Sequence, residues 1–304
     1  MNQNMSRRSA LRSLTGGTAA LAAAASLPNT LLGAEEAGAK LKGNIHHSVC
    51  LWCYGSLLNS QRGNPAKMTF EDFCREAANM GLQSVELLGP SQWPTVKKAG
   101  LICAMCNGPD NISYGWNRLD HHDVLLPKFE KAIPEVAENG FPNIITFSGN
   151  RNGMSDEQGL ENCVKGLKRL MPTAEKHKVV VALELLNSKV DHKDYMADHT
   201  AWGVEVCKRV GSERLKLLYD IYHMQIMEGD MIRTIRENYQ YIGHYHTGGV
   251  PDRHEIDETQ EINYAAVMRA IVATGYKGYV SQEFVPKRPD ALASLRQAIG
   301  ICDV

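Results

Sequence analysis

Val179-Val-Val-Ala-Leu-Glu184-Leu-Leu-Asn187 is an apolar run broken by one carboxylate near its end. The run reads as a buried strand, and the period of two puts Glu184 on the face shared by Val180 and Ala182. A charge buried in such a run is costly unless it is paired or bound to a metal. The pattern recurs downstream. Leu215-Lys-Leu-Leu-Tyr-Asp220-Ile-Tyr-His223 carries Asp220, and Tyr241-Ile-Gly-His244-Tyr-His246 carries two imidazoles. Tyr279-Val-Ser-Gln-Glu283-Phe carries a further carboxylate.

Outward from these four runs, strands and helices alternate. Strands are expected at 46–51, 83–88, 101–106, 143–148, 179–186, 215–221, 241–246 and 278–284. Amphipathic helices are expected at 69–80, 122–139, 155–177, 197–210, 229–239, 263–274 and 288–300. Such alternation implies a parallel sheet with right-handed crossovers, and eight strands match closure. The expectation is α/β, a single (β/α)8 TIM barrel over 40–304, with no linker dividing it. A doubly wound open sheet is the competing fold. It normally carries a Gly-rich phosphate turn after its first strand, and none is present.

Chemistry in a barrel of this kind gathers at the C-terminal ends of the strands. Glu184, Asp220, His246 and Glu283 fall at the ends of four successive expected strands. Singly, each reads as a salt-bridged core residue; together they read as a metal site. Three carboxylates and one imidazole form a hard donor set suited to one divalent ion, Mn²⁺ or Mg²⁺, with Co²⁺ also compatible. Such a metal chelates adjacent oxygens of an α-hydroxy-carbonyl compound and stabilises an enediolate. Glutamates beside the substrate then serve as ligand and acid/base at once.

At these residues the chain resembles the xylose isomerase-like barrel superfamily, and within it the hydroxypyruvate isomerases and ketose 3-epimerases. The resemblance covers residues 44–300 and rests on Leu183-Glu184-Leu-Leu-Asn187, Asp220-Ile-Tyr-His223-Met, Gly243-His244-Tyr-His246, Pro251-Asp-Arg253-His-Glu, Glu261-Ile-Asn-Tyr264 and Gln282-Glu283-Phe-Val-Pro286. It implies that Glu184, Asp220, His246 and Glu283 bind the metal and that Glu184 and Glu283 move the proton. It also implies that His223 and Arg253 hold substrate oxygens. The implied reaction converts hydroxypyruvate to tartronate semialdehyde. Ketose 3-epimerisation, and dehydration of a cyclitol or keto-sugar, stay open on the same scaffold, as does a non-catalytic sugar-binding protein.

Glu86 ends the second expected strand and reads equally as a substrate-binding or a structural residue. His244 shares a face with His246 one layer deeper, which suits support of the metal ligand. His46 and His47 read as substrate contacts or as core histidines. His121, His122, His177, His192 and His199 lie in polar surroundings and are expected in solvent. The eight cysteines, including Cys50-Leu-Trp-Cys53 and Cys103-Ala-Met-Cys106, read as buried thiols, since residues three apart on a strand face opposite ways.

The formal net charge is −1 with no basic stripe, which excludes nucleic acid as the main partner and leaves a small sugar or hydroxy-keto acid as substrate. The oligomeric state is open, a homo-oligomer included. Ser6-Arg7-Arg8-Ser9-Ala10-Leu11-Arg12 followed by an Ala-rich uncharged run reads as a twin-arginine signal. Cleavage is expected after Ala39, or earlier after Ala34, which makes 1–39 a signal peptide and the protein periplasmic. The run is too short for a membrane span.

Overall fold

The computed structural model describes residues 40–59 and 65–304; the expected signal segment, 1–39, lies outside them. Strands form where the sequence carries apolar, β-branched runs: β1 His46–Cys50, β2 Ser84–Glu86, β3 Asn143–Thr146, β4 Val180–Leu185, β5 Leu215–Asp220, β6 Ile242–Thr247 and β7 Tyr279–Gln282. The amphipathic stretches between them become α1 Gly55–Leu58, α2 Phe70–Asn79, α3 Trp93–Lys98, α4 Leu119–Glu138, α5 Asp156–His177, α6 Thr200–Val210, α7 Ile221–Met227, α8 Met231–Asn238, α9 Tyr264–Ala273 and α10 Ala291–Cys302. Local signals set the ends. Thr69 and Asp72 form a reciprocal capping box at α2, and Ser155 caps α5. Gly211, in the left-handed region, closes α6.

The strands pair in parallel in the order β2-β1-β7-β6-β5-β4-β3. Seven regular strands, not eight, are present among the described residues. Segment 101–106 fills the remaining place through isolated parallel bridges, Ser84 with Ile102 on one side and Cys106 with Ile144 on the other. Side chains from both neighbours displace its ladder. The Ala104 amide donates to Ser84 Oγ at 2.9 Å, and its carbonyl accepts from Asn143 Nδ2 at 2.7 Å. The sheet therefore curls into an α/β barrel whose third stave is irregular.

Two cores hold this ring. The larger lies between sheet and helices and includes Phe73, Phe129, Leu167, Leu217 and Ile271. Each such side chain, fully buried, contributes about 1.5–3 kcal/mol. Inside the ring, Met105, Ile145, Ala182 and Leu218 form a small apolar layer. Beside β1, β2 and β7 the interior is polar instead, with Ser48, Ser84, Glu86, His244 and Ser281 all fully buried. The small serines leave room there for the larger ionisable groups. All eight cysteines are buried and unpaired. Among the described residues no helix is long and apolar enough to cross a membrane.

Candidate metal centre

Glu184 lies one residue from the end of β4, Asp220 ends β5, His246 lies one residue from the end of β6, and Glu283 follows β7. Register pairs Asp220 directly with His246, and Glu184 with Leu218, two residues before Asp220. One donor atom from each of Glu184, Asp220, His246 and Glu283 lies within 4.8 Å of every other, and all four residues are buried. The four expected ligands thus converge at the C-terminal mouth of the ring.

Each is held by its own neighbourhood. Asp220 caps α7: its Oδ1 accepts from the Tyr222 and His223 amides at 2.9 and 3.2 Å, leaving Oδ2 toward the cluster. The Trp52 indole donates to Glu283 Oε1 at 2.7 Å, which leaves Oε2 facing His246. His246 Nδ1 lies 2.6 Å from Glu283 Oε2 and 3.5 Å from Glu184 Oε1. Yet it is a buried ring nitrogen with no aligned hydrogen bond. An orphaned nitrogen among three carboxylates fits a bound divalent cation.

The electrostatics agree with that fit. Burial pushes Glu184 up to about 7, and the Glu283 and Asp220 charges add to it while His246 opposes. Burial acts against charge on Glu283 too, but the Arg253 guanidinium and His246 outweigh it and hold the carboxyl below its usual range. For His246 burial works against protonation, yet the Glu283 charge raises the ring well above an ordinary histidine.

A pocket of about 760 Å³ opens over the cluster, lined by Glu184, His223, Arg253 and Glu283 together with apolar Trp52, Ile112 and Phe147. His223 is buried, and burial lowers its pKa well below the ordinary value. Asn187 Oδ1 accepts the Val190 and Asp191 amides, so its Nδ2 faces His223 Nδ1, at 2.6 Å. Both His223 nitrogens therefore stand beside donors, Nδ1 beside Asn187 and Nε2 beside the guanidinium of Arg253.

Arg253 reaches the pocket, but onto the protein's own carboxylates. Nη2 donates to Asp220 Oδ2 at 2.5 Å and also to Glu283 Oε2, and Nε donates to the Glu283 carbonyl at 2.9 Å. Its guanidinium carbon sits 4.8 Å from the Tyr222 ring centroid. Nη1 touches no carboxylate and lies 3.0 Å from His223 Nε2.

Of the two readings of Glu86, substrate-binding and structural, the geometry favours the structural one. Glu86 does not line the pocket and is fully buried beneath His246. Alternation places it on the interior face, but β2 ends there and Leu87, with φ +58°, takes the place on the pocket wall. His192 departs from expectation, lining the pocket rather than standing in solvent. His122 is buried, with Nε2 2.8 Å from the Trp116 carbonyl. Trp52, Asp110 and Asp191 are pocket residues that the sequence reading missed. Trp52 had a usable signal: it lies two residues beyond β1, where a barrel places its chemistry.

The chain is thus a parallel α/β barrel with a carboxylate-rich cluster at its C-terminal mouth. Residues 74–300 match the profile described as xylose isomerase-like TIM barrel, and the chain belongs to that family. It is 31% identical over 239 residues to a Xenopus laevis protein named "Putative hydroxypyruvate isomerase", covering 73% of this chain and 87% of that one. It is 36% identical over 109 residues to the 2-oxo-tetronate isomerase of Cupriavidus necator, where the match spans 36% of this chain and 41% of the relative. The fold is similar to that of the 3-keto-D-glucoside 4-epimerase of E. coli, with TM-score 0.66, 19% identity, and coverage of 84% of this chain and 98% of that one.

Proposed function

We propose that the protein is a metal-dependent isomerase that interconverts an α-hydroxy ketone and an aldehyde, with hydroxypyruvate and tartronate semialdehyde as the leading pair. One observation carries the reading. Donor atoms of Glu184, Asp220, His246 and Glu283 lie within 4.8 Å of one another beneath an open pocket. The isomerase names of the Xenopus and Cupriavidus relatives agree with it.

A bound Mn²⁺ or Mg²⁺ supplies electrophilic stabilisation for negative charge developing on two adjacent substrate oxygens. The remaining work falls to side chains. Glu184, pushed up to about 7, is poised to take and return a proton near neutral pH. Glu283, oriented by Trp52 and Arg253, faces the reacting carbons from β7 as the second proton carrier. His223 lines the pocket beside Arg253, whose Nη1 is available to a substrate carboxylate.

Pocket size favours a second reading, a ketose 3-epimerase. A three-carbon acid fills only a small part of about 760 Å³, and the apolar wall suits a longer or cyclic substrate. The metal-free and Mn²⁺-loaded enzyme, offered hydroxypyruvate and four- to six-carbon ketoses in deuterated water, separates the two by NMR. Metal-dependent conversion of hydroxypyruvate with solvent deuterium in the product is the expected result. Exchange confined to C3 of a ketose transfers the assignment to the epimerase, and no exchange on any substrate rejects both.

We also propose that residues 1–39 direct twin-arginine export, on the strength of Arg7-Arg8 and the Ala-rich run behind them. Replacing both arginines with Lys should retain folded precursor in the cytoplasm; undisturbed export rejects the reading.

A further inference from the structure

The polar group beneath the cluster has its own geometry. Glu86 Oε1 lies 2.8 Å from His244 Nε2 and 2.9 Å from His246 Nε2. Its Oε2 accepts from Ser48 Oγ at 2.8 Å. Register fixes the height: β1 and β2 pair Cys50 with Glu86, and the thiol lies 3.7 Å from Oε1. All of these side chains are fully buried, and none of them lines the pocket. Glu86 therefore has no direct access to a substrate in the pocket.

We propose that Glu86 is a positioning residue, whose carboxylate holds the His246 ring with Nε2–H toward the barrel interior so that Nδ1 faces Glu184 and Glu283. This inference rests on the metal reading above. A carboxylate offers no proton, so both imidazoles that meet Oε1 must present N–H there. For His246 that places an N–H at Nε2 and leaves Nδ1, the atom 2.6 Å from Glu283, as the position a metal would take in exchange for a proton. His244 shares the same oxygen and braces it from the next layer down. Ser48 fixes the other oxygen, so Glu86 cannot swing away without losing both anchors. An outer partner of this kind sets a ligand's tautomer and raises its basicity, and its loss typically weakens metal affinity 10- to 100-fold.

Metal titration of Glu86→Gln and Glu86→Ala tests the proposal, with activity read separately at saturating Mn²⁺. One equivalent of Mn²⁺ is expected in the wild type. Affinity should fall about 10-fold or more in the Gln variant, which keeps one acceptor oxygen, and further in the Ala variant. The KM for substrate at saturating metal should stay unchanged in both. Unaltered metal affinity with a raised KM would return Glu86 to the substrate site and overturn the proposal. Two equivalents in the wild type, falling to one in Glu86→Gln, would make Glu86, His244 and His246 a second metal site and overturn it too. Long-range ¹H–¹⁵N spectra of the Zn²⁺-loaded wild type need no variant to fold. They should show His246 protonated at Nε2 with Nδ1 bound, and the reverse tautomer contradicts the assignment. If the wild type binds no metal at all, the reading of the site itself fails, a result distinct from each of these.

Discussion

Replacing Glu283 with Gln should lower turnover about 10²- to 10⁴-fold while metal binding is largely retained. The substitution keeps the shape and one oxygen able to ligate the metal, and gives up the acceptor for the Trp52 indole, now at 2.7 Å. It removes the charge that faces His246 Nδ1 and Arg253, and with it the capacity to carry a proton. Steady-state rates at saturating Mn²⁺, set beside metal content of the same preparation, give both halves of the result. A fully active variant rejects Glu283 as a proton carrier. Loss of metal in step with activity confines Glu283 to holding the ion.

Arg253→Met should cost about 2–4 kcal/mol in transition-state stabilisation for hydroxypyruvate, or roughly 30- to 1000-fold in kcat/KM. A neutral ketose should suffer clearly less. The difference is assigned to Nη1, the one terminal nitrogen of the guanidinium with no carboxylate against it. A substrate carboxylate meeting Nη1 gains a charge-assisted bond that hydroxyls do not match. The shared part of the loss comes from Asp220 and Glu283, which lose their common partner. Three carboxylates at −3 are balanced by a dication and one guanidinium at +3, and Met leaves the buried cluster one charge short. Met keeps the packing of the stem, so the comparison isolates charge. Equal losses on acid and ketose show that Arg253 neutralises the cluster without reading the substrate.

The parts of the site written as exceptions within an apolar pattern were legible in the sequence. Glu184, Asp220 and Glu283 stand out because a carboxylate in a buried strand needs a partner, and strand periodicity tells which face it is on. Depth is harder to read. Alternation puts Glu86 and His246 on the same interior wall, but only the register of β1, β2, β6 and β7 reveals that one lies beneath the other. The segment 101–106 has strand composition, yet the bonds from Ser84 and Asn143 that break its ladder are tertiary. His122 stands in a polar run, Asp120 to Asp123, and only its place on the inner face of α4 buries it. The resemblance implies a substrate contact for Arg253, but its choice of Asp220 and Glu283 over solvent depends on a turn whose Asp252 and Arg253 both have positive φ.

Anomalous diffraction from crystals grown with Mn²⁺ tests the central claim most directly. The metal reading predicts one strong peak bounded by Glu184, Asp220 Oδ2, His246 Nδ1 and Glu283, each at roughly 2.0–2.4 Å. A peak against Cys50 or Glu86 instead, or no peak with Mn²⁺ in excess, would contradict it.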